Sequence, residues 1–209
     1  MVSLAAYKDY RRVARELMTK VMQASLGRDA LDRSAKLLGI SSGGVFVFDS
    51  EEEMAVLFDF ALHDYRVGGK NAIQLYAESK GPASEVEREL LAGHTAAFTS
   101  LFKVVSTSKV ENALILRDLL KDGDDVKLTD INLSGTALPG FLLFLRLVPL
   151  RDLNITSGVM FAFPGHLESR LLAEDKRPAR KREPRDEAQR RFVRFLKAYR
   201  AYGIETRFE

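Results

Sequence analysis

The stretch "FLLFLRLVPLRDLNITSGVMFAF", residues 141–163, decides the fold that the sequence predicts. Its first ten residues are apolar on both faces, which is typical of a central strand or of a strand whose outer face a helix covers. From Asn154 onward apolar side chains alternate with small or polar ones, as in a strand with one buried face. The stretch therefore predicts two β-strands separated by the turn residues Arg151 and Asp152.

Three further β-rich runs precede this stretch, at residues 101–107, 112–120 and 126–133. Segments rich in Gly, Asp, Ser and Lys separate them, as turns do. Five short strands at this spacing predict a compact antiparallel meander or small barrel rather than a parallel βαβ sheet.

The remainder of the chain has helical periodicity. Residues 1–100 contain several amphipathic segments, and capping-box pairs such as Ser84 with Glu87 mark where helices begin. The sequence thus predicts an α+β fold: an N-terminal helical layer (1–100), a five-stranded antiparallel β unit (101–163), and a basic linker with a C-terminal amphipathic helix (164–209). We expect the three regions to pack on one common body.

The C-terminal helix is predicted from the apolar stripe of the segment "DEAQRRFVRFLKAYRAYG". The members of the stripe are Ala188, Phe192, Phe195, Leu196 and Tyr199. A helical wheel places Arg190, Arg194 and Lys197 on the opposite, polar face. Because an aromatic stripe left in water is unfavourable, we expect it to dock on the body or on a partner.

Composition excludes several classes of function. The chain has 209 residues, 46% hydrophobic and 29% charged, as in ordinary soluble proteins. It has no cysteine, which excludes disulfides, thiolate metal sites and a cysteine nucleophile. No apolar run has the length of a signal peptide or a membrane span. We therefore expect a soluble cytoplasmic protein that has no membrane partner, and no motif indicates a cofactor or a metal site.

The formal net charge of +3 conceals a local concentration of basic residues. Residues 176–200 hold eleven Lys or Arg against three acidic residues. The densest part is "KRPARKREPR", residues 176–185, which we call the basic strap. Local basicity of this kind can bind a polyanion such as nucleic acid through phosphate contacts. The candidate residues are Arg180, Lys181, Arg182, Arg190, Arg194 and Lys197.

The competing interpretation is that the basic strap is a solvated linker that carries a docked helix. Pro178 and Pro184 favour an extended segment, and charges keep such a segment soluble. The strap also lacks the interleaved aromatic residues that stack on bases. These features favour the linker.

The best catalytic candidate is "DFALHD", which contains Asp59, His63 and Asp64. Asp59 and His63 are four residues apart on a predicted helix, so they share a face, as an acid–base pair requires. The segment lacks the H-E-x-x-H pattern and a third ligand, and this favours a hydrogen bond on the helix surface. His94, on an apolar helix, is interpreted as a packing residue.

The segment from residue 113 to residue 164 has the skeleton LRDLL, an acidic hairpin, LPG, RLVPL and FAFP. This skeleton resembles a small β module of uncharacterised bacterial proteins, some of which also carry a cysteine-rich zinc segment like the SecA C-terminus. The resemblance implies a fold unit without assigned catalytic residues. The zinc segment is absent here, since the chain has no cysteine.

Taken together, these patterns favour a non-catalytic protein-interaction or regulatory protein that binds another protein or self-associates. The first alternative is a nucleic-acid-binding protein that uses the six basic residues named above. The second is a hydrolase with a site near Asp59 and His63. An enzyme is disfavoured because no combination of nucleophile, base and oxyanion donors is recognisable.

Overall fold

The computed structural model describes residues 4–204, and these divide into two compact units. Of the described residues, the helical unit comprises 4–97 together with Arg182–Arg190. The strand unit comprises Phe98–Lys181 together with residues 191–204. Each unit is therefore assembled from two segments that are far apart in the sequence, and the boundary after Arg190 falls inside the last helix.

The helical unit contains a series of helices and one short hairpin. Its elements are α1 (Leu4–Ser25), α2 (Arg28–Leu38), β1 (Ser41–Ser42), β2 (Val45–Phe46), α3 (Glu52–His63), α4 (Ala72–Ser79) and α5 (Glu85–Ala96). Most of α3 is buried, because its sequence is apolar around nearly the whole circumference. This helix therefore carries its polar residues Asp59 and His63 into the core of the unit.

One buried carboxylate ties α1 to the start of α5. The Glu87 side chain accepts hydrogen bonds from Nζ of Lys20 at 2.6 Å and from the backbone N–H of Ala83 at 2.7 Å. Both contacts favour the ionised form, so Lys20 first and Ala83 second lower the pKa of Glu87 below its ordinary value. Ser84 caps the same helix by accepting from the Glu87 N–H, as its capping pattern predicts.

The strand unit contains five strands between residues 98 and 163, followed by helices. Its elements are β3 (Phe98–Ser108), β4 (Ala113–Asp118), β5 (Val126–Thr129), α6 (Ile131–Thr136), β6 (Leu142–Pro149), β7 (Asn154–Phe163), a 3₁₀ turn (Gly165–Leu167), α7 (Glu168–Lys176) and α8 (Glu187–Tyr202). The α+β class predicted from the sequence is confirmed.

The strands are hydrogen-bonded in the order β3-β4-β5-β7-β6, and β6 returns to β3. The ring is held weakly at one place: β5 and β7 run parallel and pair at Leu128 and Asn154. The prediction of a purely antiparallel sheet is wrong for this reason, and the order is not that of a meander. Side chains facing into the ring, among them Phe102, Leu116 and Leu145, form the core of the unit.

The third strand is shorter than the sequence predicts. Residues 126–133 were expected to be one strand, but β5 ends at Thr129 and α6 begins two residues later. Asp130 causes the change, because its side chain accepts a hydrogen bond from the Leu133 N–H at 3.0 Å and caps the helix. A local cap therefore overrides the β-propensity of this run.

Helix α8 docks on the outer face of β6 and β7 through its aromatic residues. The Phe195 ring stacks on Phe144 with centroids 4.2 Å apart, and Tyr199 stacks on Phe161 at 5.1 Å. Phe192 meets the same two strand residues edge-on. This confirms both the predicted docking of the apolar stripe and the helix cover predicted for β6.

None of the helices within residues 4–204 combines the length and the apolar character that crossing a bilayer requires.

Candidate functional site

The structure brings two histidines together in the core of the helical unit. Nε2 of His63, on α3, lies 3.1 Å from Nδ1 of His94, on α5. On its other side, Nδ1 of His63 lies 2.9 Å from the backbone carbonyl oxygen of Asp59 and 3.4 Å from the Asp59 carboxylate. All three side chains are buried, so the predicted contact between His63 and Asp59 is present but lies in the core rather than on the helix surface.

When both rings are neutral, the geometry allows one assignment of their tautomers. A carbonyl oxygen can only accept, so Nδ1 of His63 carries the hydrogen and donates it to Asp59. Nε2 of His63 then accepts the hydrogen bond that Nδ1 of His94 donates. This chain of contacts orders α3 against α5, and it exposes neither ring to bulk water.

The residues near the histidine pair form hydrogen bonds that connect elements of the helical unit. The side-chain amide of Asn71 donates to the backbone oxygen of His63 while its oxygen caps α4. Asp64 is buried at the end of α3, where its backbone oxygen accepts from the Gln189 side chain at 2.9 Å. Across residues 4–204, no group of three or more His, Asp or Glu side chains is arranged to hold a metal ion.

Arg194 is the most constrained of the predicted nucleic-acid-binding residues. It is only 3% exposed, and its guanidinium donates to the backbone oxygens of Glu174, Asp175, Arg177 and Pro178 at 2.8–3.1 Å. The helical-wheel placement of Arg194 on the polar face is therefore wrong. The physical reason is that the last turn of α7 and the start of the basic strap present a cluster of carbonyls that a planar guanidinium satisfies.

Other arginines of the C-terminal region also bond to the protein itself. Arg190 donates to the backbone oxygens of Pro184 and Arg185, and Arg191 forms a two-point ion pair with Asp175. Arg177 pairs with Glu174. Part of the positive charge counted in the sequence therefore belongs to arginines that form contacts within the protein.

The remaining predicted residues lie on the surface. Arg180, Lys181, Arg182 and Lys197 are exposed. Of these, Lys181, Arg182 and Lys197 form no ion pair with any residue between 4 and 204. The structure therefore separates the six candidates into solvent-facing cations and cations bonded to backbone carbonyls, a distinction that charge counting cannot make.

A second surface, not singled out by sequence reasoning, lies on the β1–β2 hairpin. Val45 is 65% exposed, Val47 is 53% exposed and Met54 is 54% exposed. Phe48 is at the edge of the same segment, with its ring centroid 6.2 Å from that of Phe46. We call residues 45–48 together with Met54 the hairpin surface. The apolar run "VFVF" after two glycines, residues 45–48, is the available signal in the sequence.

A turn with two glycines at its centre joins the strands of the hairpin. Gly43 and Gly44 have φ angles of +62° and +83°, so both central residues of the two-residue turn are left-handed. This is the geometry of a type I′ turn, which matches the twist of the paired strands. Ser42 pairs with Val45 across it.

Acidic residues flank the hairpin surface at the start of α3. Asp49, Glu51 and Glu52 are exposed there, and they suit the positive end of the helix dipole. A hydrogen bond from Ser50, followed by backbone bonding, lowers the pKa of Glu52, so this carboxylate is ionised at neutral pH. The apolar surface is thus bordered by negative charge.

Comparison with known proteins gives a family but no activity. No curated protein and no solved structure matches the chain. The model of one family of unknown function matches residues 1–209, well beyond the β module on which the sequence resemblance rested. The expectation of an uncharacterised family is confirmed: the chain belongs to the family of unknown function DUF7986.

Proposed function

We propose that this protein is a non-catalytic interaction protein and that its partner binds the hairpin surface. The observation that carries the proposal is the exposure of Val45, Val47, Phe48 and Met54 on the hairpin and the start of α3. Single exposed apolar residues need no explanation, but four within residues 45–54, beside exposed carboxylates, suit a protein–protein contact.

The backbone pairing of the hairpin supports the same proposal. A surface that is already ordered loses little conformational entropy when a partner binds it. Ile40 accepts a backbone hydrogen bond from the Val47 N–H at 2.8 Å, which extends the pairing beyond the two-residue strands. Val45 and Val47 therefore lie on backbone that is already hydrogen-bonded.

The histidine pair supports a structural role rather than a hydrolytic one. His63, His94 and Asp59 are buried and bond to one another, whereas a hydrolytic site must admit both substrate and water. Their arrangement is that of a buried polar network that fixes the packing of two helices.

Site-specific photo-crosslinking in cells tests the proposal. A photoreactive residue at position 47 should give a discrete adduct, while the same residue at position 110 should not. Val110 is the matched control, since it is 94% exposed on the turn between β3 and β4. Substituting Val45 by Ser should remove the adduct. Equal labelling from positions 47 and 110 would contradict the proposal.

A second candidate function, nucleic-acid binding, is favoured by the strand order and by the exposed cations of the strap. The order β3-β4-β5-β7-β6, with a helix after β5 and parallel pairing of β5 with β7, is that of the OB-fold, a partly open barrel that often binds oligonucleotides. Its usual binding face here corresponds to β4 and β5. On that face Arg117 pairs with Asp125 and Lys127 pairs with Glu111, whereas no ion pair within residues 4–204 engages Lys181 or Arg182 of the strap.

Binding to short oligonucleotides across a salt series tests this candidate. The variant K181E/R182E/K197E leaves the internally bonded Arg190 and Arg194 intact. The control variant K8E/K36E/K80E changes the net charge by the same amount at exposed positions of the helical unit. Loss of salt-dependent binding in the first variant alone supports nucleic acid. Equal binding by both variants, or none by the wild type at low salt, contradicts it.

A further inference from the structure

We infer that the hairpin surface binds the basic strap of a second copy of this chain, so that the protein self-associates by a contact between two different patches. The inference rests on the proposed function, because it names the partner of the same surface. Three features carry it: the affinity of the hairpin aromatics for guanidinium groups, the acidic border, and the set of exposed cations that the chain itself supplies.

The hairpin already accepts one guanidinium. The Arg28 guanidinium carbon lies 5.9 Å from the ring centroid of Phe46. This contact shows that a planar cation fits over an aromatic ring of the hairpin, where cation–π attraction and the aliphatic stem of arginine both contribute. The exposed neighbours Val47 and Phe48 offer a similar site to a further arginine.

The charges of the two surfaces are complementary. Glu51 and Glu52 are exposed beside the hairpin surface, and Lys181, Arg182 and Arg185 are exposed on the strap. Within residues 4–204, no ion pair engages any of these five side chains. An arginine that packs its stem on the apolar hairpin can therefore place its guanidinium against a border carboxylate.

Each end of the strap is hydrogen-bonded to a residue of α8. Arg194 donates to the backbone oxygens of Arg177 and Pro178, and Arg190 donates to those of Pro184 and Arg185. Between these ends Arg180, Lys181 and Arg182 are exposed. Because the two prolines lack an N–H, the strap binds through side chains rather than as an added β-strand.

The symmetry of such a contact limits the possible assemblies. Each molecule carries one strap and one hairpin surface, so two molecules can exchange both contacts in a closed dimer. If the two contacts cannot close, the same surfaces generate rings or chains. In either case association depends on protein concentration and weakens when salt screens the charges.

Sedimentation velocity on nuclease-treated full-length protein tests the inference with a charge swap. One variant, E51K/E52K, reverses the charge of the acidic border, and another, K181E/R182E, reverses charges of the basic strap. Each should weaken self-association about tenfold, since attractive pairs become repulsive ones. An equimolar mixture of the two variants should recover association, because the reversed border now faces the reversed strap. The control K36E/K80E should associate as the wild type does.

Two results would overturn the inference. The first is a wild type that stays monomeric at low salt up to about 100 μM, the affinity range of a weak specific contact. The second is a mixture of the two variants that associates no better than either alone. If crosslinking from position 47 meanwhile captures a different protein, the proposed function stands and the self-association fails. If position 47 gives no adduct either, both fail.

Discussion

Replacing Arg194 by methionine is the sharpest test of how the basic region is built. Methionine keeps much of the volume but removes a guanidinium that donates to four backbone oxygens. Each hydrogen bond from a charged donor contributes at least about 1.5 kcal/mol, and some of the freed carbonyls on the strap regain water. We therefore expect R194M to lower the free energy of unfolding by about 3–4 kcal/mol.

Urea unfolding followed by circular dichroism measures this loss of stability. The rate of limited trypsin digestion measures how accessible the strap is. Cleavage between residues 176 and 185 should accelerate in R194M, because the strap loses the group that anchors its start. The exposed residue Lys197 on the same helix supplies the control, and K197M should change stability by less than about 0.5 kcal/mol. The reasoning is refuted if R194M and K197M unfold alike and are digested at the same rate.

Further measurements examine other parts of the fold. The variant F195A, which removes the ring stacked on Phe144, should cost about 3–5 kcal/mol in urea unfolding. The lowered pKa of Glu87 means that its stabilising contribution is present above its unfolded pKa and is lost as pH falls through the lower folded value. The stability of the wild type should therefore fall more steeply than that of E87Q as pH drops below about 4.5, with a difference of about 1–2 kcal/mol at neutral pH. In the neutral form of both rings, nitrogen-15 spectra should show the hydrogen on Nδ1 of His63 and of His94, and a neutral His63 with its hydrogen on Nε2 would contradict the geometry.

Local patterns in the sequence predict the elements of this fold better than their pairing. The alternation after Asn154 and the aromatic stripe of α8 predict a strand and a docked helix, and both are present. The pairing of β5 with β7 depends on how the chain crosses the sheet, which no local pattern encodes. The cap at Asp130 was visible, but β-propensity on both sides of it obscured the short helix.

The candidate sites show a similar division. The spacing of Asp59 and His63 correctly indicates a contact, because both lie on one helix. The contact between His63 and His94 joins residues on separate helices, so the pattern of a single sequence cannot reveal it. Arg194 was misplaced because a helical wheel treats every arginine as a surface group, whereas this one satisfies carbonyls at the end of another helix.

The division of each unit into two distant segments has a consequence for synthesis on the ribosome. The backbone oxygen of Asp64 receives its hydrogen bond from Gln189, 125 residues later. At ordinary translation rates this partner arrives roughly 6–25 s after Asp64. Phe144 and Phe161 are likewise synthesised before the α8 rings that stack on them. The nascent chain therefore carries an uncovered aromatic sheet face until its last helix emerges, which is the kind of surface that ribosome-associated chaperones shield.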